Sequence, residues 1–299
     1  MKPGIFSALA VVVMVIAGSA CTTSTAGATP GRVNVVAGEN FWGSIAAQLG
    51  GSKVSAHSVV TDPNADPHEY ESSTTDARAF AEADLVILNG AGYDDWGQKL
   101  LDANSSSHRT VLNIAQLLGR KPGDNPHFWY NPAYVLNVAD KITAEYKAID
   151  SGDSSYFDQQ RSVFTSALKP YSDRIAEIKS RYAGTPIGST ESIFVYMAAA
   201  LGLDLISPTA FMDAAAQGID PPASTVATFH DQVAGKRIKV LVYNLQASSA
   251  LTASLKQLAQ QQNIPLVGVS ETLQPVGATF QDWQTAQLTA LEAALASAR

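Results

Sequence analysis

The sequence predicts an α/β protein built as two α/β domains with parallel sheets, joined by one long linker helix. Three observations carry that prediction. Short apolar runs alternate with helix-patterned segments in the first half of the chain. The alternation stops across residues 156–182, where apolar residues fall at helical spacing instead. It resumes after Gly184. A βαβα rhythm argues for a parallel sheet covered by helices.

In the first half, strands are predicted in "RVNVVAG" at 32–38, "KVSAHSVV" at 53–60, "DLVILNG" at 84–90 and "RTVLNIA" at 109–115. Segments 41–49 and 75–83 between them have helical composition. Ser73-Thr74-Thr75-Asp76 has the spacing of a capping box, with Asp in place of Glu. A further helix should start at Asn131-Pro132, with Asn as cap and Pro in the first turn.

Across residues 156–182, Phe157, Val163, Phe164, Leu168, Tyr171, Ile175, Ile178 and Tyr182 fit one helix face. Pro170 lies inside this stretch and should kink it or split it. In the second half, strands are predicted in "TPIGST" at 185–190, "LDLIS" at 203–207, "RIKVLVYN" at 237–244 and "IPLVGVS" at 264–270. Helical segments at 191–201, 223–234 and 247–262 separate or follow them. Two such halves leave a cleft, and the C-terminal ends of parallel strands place ligands there.

Composition is that of an ordinary globular protein: 299 residues, 46% hydrophobic and 16% charged. A net charge of -7 gives no support to nucleic acid as a partner. Lys2 and the apolar "GIFSALAVVVMVIAGSA" read as a secretory signal, since a spanning helix needs about 20 apolar residues. Cys21 follows at once and is the only cysteine, so a disulfide within the chain is impossible. Its place after Ser19-Ala20 resembles the lipid-acceptor cysteine of bacterial lipoproteins. Gly18 stands where that signal usually carries a branched aliphatic residue. The organisation expected is therefore a signal with its lipoprotein cysteine at 1–21 and a small, polar tether at 22–31. An N-terminal α/β domain at 32–153, a linker helix at 154–182 and a C-terminal α/β domain at 183–299 complete it.

Four residues are candidate metal ligands. His68, in "DPHEYE", follows a strand and a turn and precedes a capped helix. His127, in "NPHFWYNP", has a matching context in the same half. Glu191 follows one strand of the second half and Glu271 another. A glutamate in a helix's first turn has a plain alternative role, favouring the helix dipole. Together the four offer two imidazoles and two carboxylates, a donor set that balances a divalent cation. His57 reads as a packed or edge histidine, and His108 and His230 as solvated. Phe128, Trp129 and Tyr130 would wall the site from water or simply fill a core.

These motifs resemble the solute-binding lipoproteins of zinc and manganese ABC importers, the ZnuA/PsaA-type family with the TroA-like fold. "DPHEYE", "NPHFWYNP", the Glu opening "ESIFVYMAAALGL" and the acid in "VGVSETL" carry the likeness, which covers residues 32–299. The resemblance implies that His68, His127, Glu191 and Glu271 hold the metal. The last position is commonly Asp in the family, and Asn244 falls where the family often has a glutamate that is not a ligand.

It further implies an extracytoplasmic, membrane-anchored bacterial lipoprotein that is not an enzyme. Its cargo would be manganese (Mn2+) or zinc (Zn2+), with iron (Fe2+) behind them. A monomer is expected. A permease and an ATPase would be separate chains, because the sequence has no GxxxxGK[ST] phosphate loop and no spanning helix. A metal-dependent hydrolase and a surface adhesin are the alternatives. A hydrolase would keep an open coordination place for water, and neither HExxH nor GxSxG occurs.

Overall fold

The computed structural model describes Met1 and residues 31–64, 67 and 70–298. Cys21 and His68 lie outside the described residues. The first half runs β1 (Val33–Glu39), α1 (Asn40–Gly50), β2 (Val54–Val60), α2 (Thr74–Glu82), β3 (Leu85–Leu88), α3 (Asp95–Ala103), β4 (Thr110–Asn113), α4 (Ile114–Leu117) and α5 (Pro132–Ile149). The crossing follows as α6 (Ser154–Ala167) and α7 (Lys169–Tyr182). The second half runs β5 (Pro186–Ser189), α8 (Val195–Leu201), β6 (Asp204–Leu205), α9 (Thr209–Ala216), α10 (Ala223–Ala234), β7 (Leu241–Asn244), α11 (Ala250–Gln261), β8 (Leu266–Val269) and α12 (Phe280–Ser297).

Both sheets are parallel and share one topology. The first has the order β2-β1-β3-β4 and the second β6-β5-β7-β8. In each, the strand order reverses between the first and third strands, which opens a crevice at their C-terminal ends. Among the described residues, all eight strands fall on the apolar runs of the sequence. Ser73 and Asp76 form the capping box of α2, and Asn131 accepts from Ala133 N and Tyr134 N to cap α5.

Strand periodicity sorts the cores. In β3, Leu85 and Ile87 face a central core while Val86 and Leu88 face an outer one with Phe80 and Trp96. In the second sheet, Val240 and Val242 join the same central core, and Leu241 faces a separate outer one with Phe211 and Phe229. The central core therefore lies between the two sheets, filled by α1, α5, α8 and α12 and by both crossing helices.

The crossing is helical throughout but for Leu168, which leaves the α-helical pattern between α6 and α7. Pro170 explains the interruption: it lies in the first turn of α7, where a missing N–H is tolerated. α6 packs on α1 and α5 of the first half, whereas α7 packs on α8 and α12 of the second. Arg174 and Arg181 both pair with Glu292, fixing α7 to α12.

Candidate metal centre

The site lies where the two halves meet. His127, Glu191 and Glu271 are all buried, and one ligand atom from each lies within 4.8 Å of the others. His127 comes from the loop after α4, Glu191 from the loop after β5, and Glu271 from the loop after β8. One histidine of the first half thus meets two carboxylates of the second. His57 lies on the edge strand β2, and His108 and His230 are exposed, as their sequence contexts suggest.

Asn125 orients His127. Its Oδ1 accepts from His127 N at 3.0 Å and lies 2.8 Å from Nδ1. Its Nδ2 donates to Ser192 O at 2.7 Å, so the amide has one orientation. An oxygen facing Nδ1 puts the imidazole proton there and turns the basic Nε2 to the cluster. Tyr196 donates to Asn125 O at 2.9 Å, a second tie to the other half. Trp129 meets the imidazole edge-on at 5.2 Å between ring centroids, and Phe41 stacks on Trp129. Phe128, Trp129 and Tyr130 are all fully buried, so they serve both as wall and as core.

Glu271 is held from three sides. Tyr93 donates to its Oε2 at 2.6 Å and Asn244 Nδ2 to its Oε1 at 2.6 Å. Gln246 Oε1 accepts from its backbone N at 2.6 Å. Asn244 Nδ2 also donates to Glu191 Oε1 at 2.8 Å, so one amide bridges both acids. The preceding Ser270 receives Trp283 Nε1 on its Oγ at 2.9 Å, and its N donates to Gln287. Past the site, Leu273 N donates to Asn40 Oδ1 of the first half at 3.1 Å.

A buried acid pair stands behind the site in the first half. Glu39 ends β1 and Asp94 precedes α3. Asp94 accepts from Asn89 N at 2.6 Å and Gly90 N at 2.8 Å. Burial pushes Asp94 up to about 6, against the pull of those N–H groups. Burial first, and then the neighbouring Asp94, push Glu39 well above the usual carboxylate range. Gly90 makes this turn possible. Its φ of +76° suits glycine, and a Cβ there would lie 2.4 Å from Asn113 Oδ1. The turn carries Tyr93 to Glu271. A cleft of about 970 Å³ opens onto Glu191 and Glu271 between Asp124 of one half and Ser249 of the other.

The model of the zinc-uptake complex component A periplasmic family, ZnuA, matches residues 35–294. The chain belongs to this family. Curated relatives agree. It is 25% identical over 281 residues to the manganese ABC transporter substrate-binding lipoprotein PsaA of Streptococcus mitis, covering 86% of this chain and 85% of that protein. It is 24% identical to the metal ABC transporter substrate-binding lipoprotein FimA of Streptococcus parasanguinis, covering 88% and 87%. Among solved structures, the periplasmic zinc binding protein TroA of Treponema pallidum superposes with a TM-score of 0.74 at 15% identity, over 89% of this chain and 99% of that one. The Ni2+ complex of FpvC from Pseudomonas aeruginosa gives 0.71 at 16% identity, over 90% and 98%. These structures share the fold of two parallel sheets with surrounding helices. Family members are components of transport systems, and among the described residues no helix is long and apolar enough to cross a membrane.

Proposed function

We propose that this protein captures a divalent transition-metal cation outside the cytoplasm and delivers it to an ABC importer. One observation carries the reading: an imidazole from one half and two carboxylates from the other converge on a single buried point. His68 is the fourth ligand in this proposal. The four supply two neutral nitrogens and two negative charges, which match the cation's charge once its water is stripped. The family and the names of the relatives support the same reading.

The cargo is manganese or zinc, with iron behind them. Mixed nitrogen and carboxylate donors accept both, and zinc binds such donors more tightly in the usual affinity order. The permease and the ATPase are separate chains, and the protein works as a monomer without a catalytic step. A lipid on Cys21 anchors it to the outer face of the membrane, and residues 22–31 tether the folded part.

Metal titration of the stripped, purified protein tests this. His68→Ala and His127→Ala should each weaken zinc and manganese binding by orders of magnitude. His108→Ala and His230→Ala should leave it unchanged. Equal effects in all four variants would sink the assignment.

A further inference from the structure

Between β3 and α3 the chain turns through Gly90, Ala91 and Gly92 with φ of +76°, +59° and +90°. Glycine suits this region, whereas alanine enters it at a cost and persists only where its surroundings hold it. Here they do. Asp94 accepts from Asn89 N and Gly90 N, and Tyr93 N donates to Gly90 O at 3.1 Å. The turn is bonded to both sides of the metal centre. Asn89 receives Trp42 Nε1 on its Oδ1 at 3.0 Å, and its Nδ2 donates to Pro126 O at 2.9 Å, one residue before His127. Tyr93 is buried, meets Trp129 edge-on at 5.1 Å between ring centroids, and donates to Glu271 Oε2 at 2.6 Å.

We infer that Tyr93 is a positioning residue that aims the carboxylate of Glu271, in the second half, at the imidazole of His127, in the first. The inference rests on the metal-capture reading. Backbone bonds on either side of Glu271 already dock its loop on the first half: Tyr130 donates to Ser270 O, and Leu273 N donates to Asn40 Oδ1. They place the loop and leave the side chain to be aimed. Asn244 holds Oε1, but Asn244 belongs to the second half and also holds Glu191, so it aligns the two acids with each other. Tyr93 comes from the first half, on the turn that also grips Pro126. Its hydroxyl aligns Glu271 with His127 through one rigid segment. Asn125 makes the matching tie for the other acid, from His127 to Ser192 beside Glu191. Ligands from opposite halves are thus in register before a cation arrives. A site preformed in this way loses less freedom on binding, so affinity rises without a further ligand.

The test is a double-mutant cycle on zinc binding, with affinities measured by competition with chelators of graded strength. Tyr93→Phe deletes one hydroxyl and keeps the ring. It should weaken zinc binding about ten-fold or more, the scale on which partners of metal ligands act. In the His127→Ala background the same change should matter little, within about two-fold, because no imidazole remains to be aligned with. Equal losses in both backgrounds would make the hydroxyl a local support of Glu271 alone. Unchanged affinity would remove its role, and a gain would make it a competitor for Oε2. Each of these three results overturns the inference. Should His127→Ala bind too weakly for the cycle to close, the visible absorption of the cobalt-loaded Tyr93→Phe protein decides: a spectrum shifted from wild type supports the inference, and an identical one overturns it. Failure of the capture reading has a different signature, since wild type itself would then bind no zinc.

Discussion

Replacing Glu39 with glutamine removes a buried acid while keeping its shape and a donor for Asp94. Burial and the neighbouring Asp94 hold Glu39 well above the usual carboxylate range, and burial pushes Asp94 up to about 6, so the pair keeps a proton above the pH at which a free carboxyl loses it. In the unfolded chain Glu39 ionises near its ordinary value of 4.5. Above that pH the unfolded chain binds fewer protons than the native one. Stability then falls as pH rises, and it continues to fall until the native Glu39 loses its proton. The slope is at most about 1.4 kcal/mol per pH unit for one proton, for as long as native Glu39 keeps it. In wild type Asp94 adds its own slope up to about 6.

Urea unfolding of the metal-free protein at pH 5, 6 and 7 measures this, with the buried Trp42, Trp129 and Trp283 as fluorescent reporters. Glu39→Gln should gain on wild type as pH rises above 5, at up to about 1.4 kcal/mol per pH unit. Parallel pH profiles for the two proteins would refute the claim that Glu39 keeps a buried proton.

Two further outcomes are expected. Asn125→Ala frees the His127 ring to adopt either tautomer, so metal affinity should drop by 10- to 100-fold while the far-ultraviolet circular dichroism stays the same; an unchanged affinity in a titration would show that Asn125 does not set the ring. Cys21→Ala should move the protein from the membrane fraction to the soluble extracytoplasmic fraction on immunoblots, and retention in the membrane would exclude the lipid anchor.

The inner strands β1 and β3 are legible because each is a short run rich in Val, Ile or Leu and buried almost throughout, whereas the edge strands β2, β4 and β6 are only half-buried and are marked by the turn residues around them. The starts of α2 and α5 are legible because Ser73 and Asn131 cap them through bonds only two or three residues long. α12 escapes such reasoning. It buries Gln281, Gln284 and Glu292 alongside Trp283, Leu288 and Leu291, so its apolar stripe is diluted by polar residues, of which Gln281 and Glu292 find partners on other helices. Glu292 illustrates this, since its partners Arg174 and Arg181 lie on α7. Gly97 similarly weakens the helical signal of α3.

His127, Glu191 and Glu271 announce themselves as ligand-type residues at the ends of strands. The residues that aim them do not. Tyr93 reaches Glu271 across 178 positions of sequence and Asn125 reaches Ser192 across 67, and no local pattern encodes such pairings. Glu39 reads as an ordinary polar residue at a strand end. Only the closure of α1 and the 89–94 turn over it makes it a buried acid.

The central core between the two sheets has a thermodynamic consequence. The halves look separable by their sheets, yet Val35 and Leu85 of one belong to the same apolar body as Val242 and Leu288 of the other. Reciprocal amide bonds between Gln48 and Gln281, and a bond from Phe280 N to Ser44, stitch α1 to the start of α12 around it. Neither half can melt without exposing the shared apolar surface of its neighbour, so the protein should unfold in a single cooperative transition. A cation held by residues of both halves then stabilises the whole molecule by mass action, and its occupancy can be followed from one melting temperature.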